Sequence, residues 1–345
     1  MRAAIFYGPG DLRVEDVPSV KPGPGEIVVD VRAAATCGTD LKSYRRGHPK
    51  LFPTLPARFG HEFAGEVSAV GEGVTAFRPG MRVVSANTVP CYQCWACTIN
   101  RHSLCENLEF LNGAFAEKVT VPARIVARNT YELPDTLSFE AAAPLEPLAT
   151  VVHAMAESGI GLGDVVVVHG AGPIGLMFVA LAILRGANVV AVDRSTWRLE
   201  QAAAAGAVET VDLTDISTVA DRAEAIRRVT PRGRGADVGI EAAGLPEVWE
   251  QTVQSLRPGG TAVLFGGPPK GTSFKVNAAD MHYSEYTLKG VFHHTPQYVQ
   301  TAVHLLSDGK VDGYSLITET RPLERLVDSL EDMAEGKGSK YILTP

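Results

Sequence analysis

Four cysteines, Cys91, Cys94, Cys97 and Cys105, fall close together at the spacing C-x2-C-x2-C-x7-C. Zinc takes four soft ligands in a tetrahedron; thiolates on a tight loop supply three and a fourth follows a few residues later. With every position a cysteine, the spacing predicts a closed structural site with no open coordination position. An iron–sulfur cluster uses related spacing, but the surrounding context speaks against one. His102 lies in the same lobe, where four thiolates already complete the shell, and is read as a surface residue.

A second stretch able to do chemistry begins at Val165. The apolar run 165–168 leads into Gly170-Ala171-Gly172-Pro173-Ile174-Gly175, and residues 174–185 then read as a helix. This is G-x-G-x-x-G in the strand–turn–helix context that dinucleotide binding requires. Gly170 permits the turn, Gly172 lets backbone approach a pyrophosphate, and Gly175 packs helix on strand, with the helix N-terminus facing the phosphates. Pro173 and Ile174 lie inside the motif. Asp193 ends the next predicted strand, over 188–192. A carboxylate there accepts hydrogen bonds from the ribose hydroxyls and repels a 2'-phosphate, which favours NAD over NADP. Arg194 works in the other direction, because an arginine can hold a 2'-phosphate.

Two kinds of scaffold must position these residues. Residues 1 to about 130 read as β-rich, with runs at 27–31, 66–70 and 82–84. Lys21-Pro22-Gly23-Pro24-Gly25 and Arg78-Pro79-Gly80 punctuate them, the pattern of a small barrel or sandwich. Ser138 then precedes a helical stretch over 139–143. Beyond it, strands over 165–168, 188–192, 238–241 and 261–265 alternate with helices over 174–185, 197–205 and 246–256, the pattern of a doubly wound α/β domain. The tail reads as a helix over 298–307, a strand near 315–318, a helix over 323–336 and a strand over 340–343. A chain of 345 residues fits two domains. Its composition, 45% hydrophobic and 21% charged, is that of an ordinary globular protein. The net charge of -7 gives no footprint for nucleic acid. No signal peptide is visible, and the most apolar stretch, 174–184, is too short to span a bilayer. A cytoplasmic protein is expected, in which clustered cysteines mean metal before disulfides.

Three further segments are ambiguous alone: Cys37-Gly38-Thr39-Asp40, Gly60-His61-Glu62 and Pro144-Leu145-Glu146-Pro147-Leu148. A lone cysteine is usually a small buried residue. Taken in order, however, Gly60-His61-Glu62-Phe63-Ala64-Gly65-Glu66-Val67, the four-Cys lobe, Gly113-Ala114-Phe115-Ala116-Glu117 and the glycine fingerprint resemble the medium-chain dehydrogenases/reductases. Within these they resemble the sorbitol and threonine dehydrogenase branch of the zinc-containing alcohol dehydrogenases, over nearly the whole chain. The resemblance implies an α/β protein in which a GroES-like β-rich catalytic domain (1–150, completed by about 292–345) accompanies a doubly wound Rossmann NAD-binding domain (151–291).

The resemblance also implies NAD and two zincs per chain. Cys37, His61 and Glu62 are then ligands of a catalytic zinc, with Glu146 binding directly or through water, and Cys91, Cys94, Cys97 and Cys105 hold a structural zinc. Thr39 is expected to accept the hydrogen bond of the substrate hydroxyl. Arg198 stands where relatives often contact adenosine, a helix-surface role being equally open. His293 or His294 lies in a segment that passes near the nicotinamide in the family. His153, two helical turns after Glu146, reads as a satisfied core histidine. Lys42 stands where many relatives carry a relay histidine, and the stretch from Cys105 to Gly113 is shorter than in many of them. The expected activity is NAD-linked oxidation of a secondary alcohol in a polyol, sugar alcohol or cyclitol, by a homo-oligomer (tetramer or dimer). An amino-alcohol dehydrogenase (threonine or an aminocyclitol as substrate) and a non-catalytic dinucleotide-binding protein are the alternatives.

Overall fold

A computed structural model describes all residues from Met1 to Pro345. The chain divides into two compact units, Met1–Ala149 with His294–Pro345, and Thr150–His293. The boundary falls inside the helix Leu145–Ser158.

In the first unit a seven-stranded sheet runs in the order Thr130–Glu132, Arg82–Ser85, Glu62–Val70, Ile27–Ala35, Tyr341–Thr344 and Glu319–Pro322, with Lys118–Val121 also paired to Ile27–Ala35. A three-stranded sheet of Asp11–Asp16, Arg2–Gly8 and Ala57–Arg58 accompanies it. Apolar side chains from these strands, among them Phe6, Phe63 and Tyr341, and from the segments between them, Phe59 and Phe115, form the core. The antiparallel register that matters most pairs Ala35 with Glu62. It places the chain leaving one strand, at Thr36 and Cys37, beside the chain entering the other, at His61.

The second unit is a six-stranded parallel sheet in the order Glu209–Asp212, Asn188–Asp193, Val165–His169, Ala236–Glu241, Leu256–Leu264 and Thr287–Gly290. The strand order reverses between Val165–His169 and Ala236–Glu241, the switch point at which doubly wound sheets bind ligands. Val166, Val167, Val168 and Ala191 are fully buried, as central strands covered on both faces must be.

Most elements lie where the sequence places them, with two kinds of difference. The strand expected near 315–318 is instead a 3-10 turn, Tyr314–Leu316, followed by a strand at Glu319–Pro322. Asp312 causes the shift: its carboxylate accepts from the Tyr314 amide at 2.9 Å and its carbonyl from the Ser315 hydroxyl at 2.8 Å. These bonds wind the segment into a turn. The strands Glu209–Asp212 and Thr287–Gly290 and the helix Val219–Val229 carry too many polar residues to be read as core elements from sequence. No helix is long and apolar enough to cross a membrane.

Candidate active site and metal centres

Cys37 caps the helix Gly38–Arg46, with its Sγ accepting from the Thr39 amide at 3.3 Å. Asp40 reciprocates, its Oδ2 accepting from the Cys37 amide at 2.9 Å. The thiol is therefore fixed by a capping box before any ligand arrives. Across the Ala35–Glu62 register, His61 presents Nε2 3.3 Å from Cys37 Sγ. Its other nitrogen, Nδ1, lies 3.2 Å from Asp40 Oδ1. A carboxylate behind a ligating histidine sets which nitrogen carries the proton and leaves the other lone pair for a metal. Gly60 cannot be replaced here without strain, because its φ is 94° and a Cβ would meet the Phe115 ring at 2.4 Å.

Glu62 is 1% exposed, and its Oε2 takes a 2.6 Å hydrogen bond from Lys340 Nζ. Its Oε1 is buried with no hydrogen-bond partner. One ligand atom each from Cys37, His61 and Glu62 lies within 4.8 Å of the others. A thiol, an imidazole and a carboxylate with one unpartnered oxygen form a donor set that suits zinc, so these residues fit a catalytic metal.

The electrostatics agree with this reading. Burial and Asp40 push the Cys37 thiol up to about 11. Burial disfavours a charged His61, yet Cys37 and Asp40 outweigh it and hold the imidazole well above its usual range. Burial raises Glu62 against the opposing pull of Lys340. Burial likewise lifts Glu146 to about 7. A buried thiol this weakly acidic becomes a thiolate only when a cation replaces its proton.

Glu146 is the second residue of the helix Leu145–Ser158. Its Oε1 lies 3.9 Å from His294 Nε2, which is also 3.2 Å from Asn87 Oδ1 and 3.3 Å from Thr88 Oγ1. His294 thus belongs to a buried polar cluster, while His293 adopts a left-handed conformation with φ of 60°. The carbonyl of His293 accepts from His153 Nδ1 at 2.7 Å, so His153 is a satisfied interior histidine. Thr39 is half-buried in the first turn after Cys37, and Lys42 is exposed on the same helix.

Cys91, Cys94, Cys97 and Cys105 form a second cluster with their ligand atoms mutually within 4.8 Å. Sγ separations of 3.5 Å (Cys94–Cys97) and 3.9 Å (Cys94–Cys105) bracket the edge of about 3.8 Å that a tetrahedron of 2.3 Å Zn–S bonds requires. Amides of Gln93 and Cys94 point at Cys91 Sγ and draw its pKa down to about 6. The lobe fits a structural zinc. His102 stacks edge-on against Tyr92 and takes no place among the four thiols.

In the second unit, Gly170 turns the chain with φ of 100° and Gly172 caps the helix Pro173–Leu184. A Cβ on Gly175 would lie 1.8 Å from the Gly170 carbonyl oxygen, which is why helix and strand can approach only with glycine there. Asp193 Oδ2 accepts from the Ala171 amide at 2.7 Å, and Oδ1 accepts from the amides of Arg194 and Ser195. The carboxylate is held beside a cavity of about 210 Å³ whose lining includes Gly170, Asp193, Arg194, Arg198 and Arg222. These residues fit a dinucleotide.

Three residues of these sites escaped the sequence. Asp40 was legible only as the fourth residue of Cys-Gly-Thr-Asp, and nothing in the sequence marked Arg222 or Lys340 as a site residue.

Residues 23–135 match the family described as the alcohol dehydrogenase GroES-like domain, and residues 173–308 match zinc-binding dehydrogenase. The chain is 32% identical to the sorbitol dehydrogenase of Bacillus subtilis, over 96% of this chain and 93% of that protein. Among solved structures, a zinc-binding dehydrogenase from Sinorhizobium meliloti bound to NADP shares 32% identity, with a TM-score of 0.91 over 100% of this chain and 99% of that one. The 2R,3R-butanediol dehydrogenase of Bacillus subtilis shares 30% identity, with a TM-score of 0.86 over the same shares.

Proposed function

The chain belongs to the zinc-containing medium-chain dehydrogenases, in the sorbitol-dehydrogenase-like branch of the alcohol dehydrogenases, and from that membership we propose that it oxidises a secondary alcohol of a polyol, sugar alcohol or cyclitol with NAD. It is a zinc- and NAD(P)-dependent oxidoreductase acting on a small-molecule alcohol. The observation that carries the proposal is the convergence of Cys37, His61 and Glu62, one carboxylate oxygen of which has no protein partner.

In this reading Cys37, His61 and Glu62 would hold the catalytic zinc, with Glu146 as a further ligand at the same centre, and the four-cysteine lobe would hold the structural one. Zinc supplies Lewis acidity that lowers the pKa of a substrate hydroxyl, and NAD supplies the hydride acceptor. The protein's own residues do the rest. Asp40 accepts a hydrogen bond from the Nδ1–H of His61 and so leaves Nε2 as the donor atom. Thr39, two residues after Cys37, accepts the hydrogen bond of the substrate hydroxyl and starts the proton's exit. Gly170, Gly172, Pro173, Ile174 and Gly175 cradle the pyrophosphate, and Arg198 contacts the adenosine.

Asp193 and the arginines around it pull cofactor choice in opposite directions. A carboxylate has about four acceptor positions, so three amide bonds leave Asp193 able to accept from ribose, and it repels a 2'-phosphate. This supports NAD. Family resemblance alone supports a cytoplasmic homo-oligomer, a tetramer or dimer. The test is a panel of polyols, cyclitols and amino alcohols assayed with NAD and NADP. The proposal expects the highest kcat/KM with NAD and a polyhydroxylated secondary alcohol. Turnover confined to amino alcohols, or metal-replete protein that binds NAD and leaves every secondary alcohol inert, contradicts it.

A further inference from the structure

Lys340 is a lysine with 2% exposure, immediately before the final strand Tyr341–Thr344. Its Nζ donates to Glu62 Oε2 at 2.6 Å and to the Thr36 carbonyl at 2.8 Å. Thr36 also fixes the backbone that carries the lysine: its hydroxyl accepts from the Tyr341 amide at 2.9 Å, and its own amide donates to the Tyr341 carbonyl at 2.9 Å. The pair therefore sits one residue from Cys37, on strands that share a register.

A buried ion pair is weak support for stability, because desolvation offsets most of its attraction and a well-packed apolar pair often does as well. A buried carboxylate oxygen without a partner makes this pair poorer still as a structural device. Glu62 has such an oxygen, Oε1. The asymmetry makes sense if the two oxygens have different tasks. Lys340 clamps Oε2, which stops the carboxylate from rotating and from offering both oxygens. Oε1 is then presented alone among the ligand atoms of Cys37 and His61.

We infer that Lys340 is a positioning residue for the catalytic metal, fixing Glu62 as a one-oxygen ligand through Oε1. The inference rests on the reading that Cys37, His61 and Glu62 hold that metal. The C-terminal strand then contributes to the metal site itself, beyond closing the sheet. A lysine is the residue for this task, being a compact charge on a stem long enough to cross the strand.

The experiment compares Lys340→Met, Lys340→Arg, Glu62→Gln and the double variant Glu62→Gln/Lys340→Met by zinc competition against a chelator, with visible spectra of the cobalt-substituted proteins. Lys340→Met is expected to weaken the catalytic-site metal about 10–100-fold, the usual effect of losing an outer partner of a ligand. It should also alter the cobalt d–d bands while the cysteine lobe keeps its metal. Lys340→Arg, which restores a cation, should recover most of the affinity. The double variant removes both charges and so folds without an unpaired one. It should hold metal as Glu62→Gln alone does, because Lys340 acts through Glu62. Wild-type affinity and spectrum in Lys340→Met overturn the inference, as does a double variant far weaker than Glu62→Gln. Should Lys340→Met fail to fold, the arginine and double variants decide alone. A Glu62→Gln protein with unchanged affinity and spectrum instead overturns the ligand assignment beneath the inference, a different result from either.

Discussion

Asp40 and Asp193 are each tied to backbone amides beside a candidate site. Asp40 ties Cys37 through its amide and His61 through Nδ1, so both donors are set before metal arrives. Replacing it by Asn keeps the shape and removes the charge. Asp40→Asn should lower catalytic zinc affinity about 10–100-fold and leave the four-cysteine zinc in place, as metal analysis after dialysis against a chelator would show. Asp193 is oriented by three amides at the edge of a cavity that three arginines also line. Removing its charge leaves Glu247 as the one acidic residue lining that cavity against the three arginines. In Asp193→Ser the ratio of kcat/KM for NADP to that for NAD should rise by about tenfold or more, since a hydrogen bond to a charged group is worth roughly 1.5–3 kcal/mol. An unchanged ratio would remove Asp193 from cofactor choice. Of these residues, the sequence made Asp193 legible through the glycine motif before it and the strand it ends. It hid Asp40, because an aspartate in a helix's first turn is ordinary. It hid Lys340 more deeply, since lysine is normally solvated and its partner lies far away in the chain.

At the level of elements, the strand Val165–His169 and the helix Pro173–Leu184 set the nucleotide site between them. Gly175 is the point of closest approach, its Cβ position lying 1.8 Å from the Gly170 carbonyl oxygen. Gly175→Ala should force the two elements apart, costing roughly 1–3 kcal/mol of stability and weakening NADH binding measured by fluorescence titration. His169 closes the strand with a fully buried ring, its Nδ1 2.8 Å from Gln251 Nε2 and its Nε2 3.2 Å from Ser255 Oγ. Burial pushes its pKa down to about 3. The unfolded chain, with a histidine near 6.5, binds this proton more readily than the folded one at any pH between those values. Stability contributed by a neutral His169 is therefore complete above about 6.5 and falls with pH below it. Between pH 7 and pH 5 the loss should be roughly 2 kcal/mol, and His169→Gln should flatten that part of the curve in urea titrations. An unaltered acid limb in the variant would contradict the assignment. These central strands were legible because burial on both faces makes them continuous apolar runs. The turn at Tyr314–Leu316 was not, because it is wound by the hydrogen bonds of one aspartate, Asp312.

For the whole molecule, the two sets of site residues belong to different compact units, the metal centres to one and the dinucleotide motif to the other. Loss of the catalytic metal should therefore leave the fold of the nucleotide site intact. His61→Ala is expected to bind NADH with little change in Kd while losing turnover. A Kd raised in proportion to the lost activity would show that the metal centre supports the nucleotide site. The chain's return to its first unit was expected only through the family resemblance, which implies a catalytic domain completed by about 292–345. What that return brings to the site, a buried cation before the last strand, depends on pairing between chain ends that no local pattern records.

Everything proposed for this protein depends on Cys37, His61 and Glu62 forming a zinc site separate from the cysteine lobe. Zinc content per chain, measured for the wild-type protein and for His61→Ala purified in parallel, tests it most directly. Two zincs are expected in the wild type and one in the variant, the survivor held by Cys91, Cys94, Cys97 and Cys105. A wild type with a single zinc, or a variant that keeps both, would contradict it.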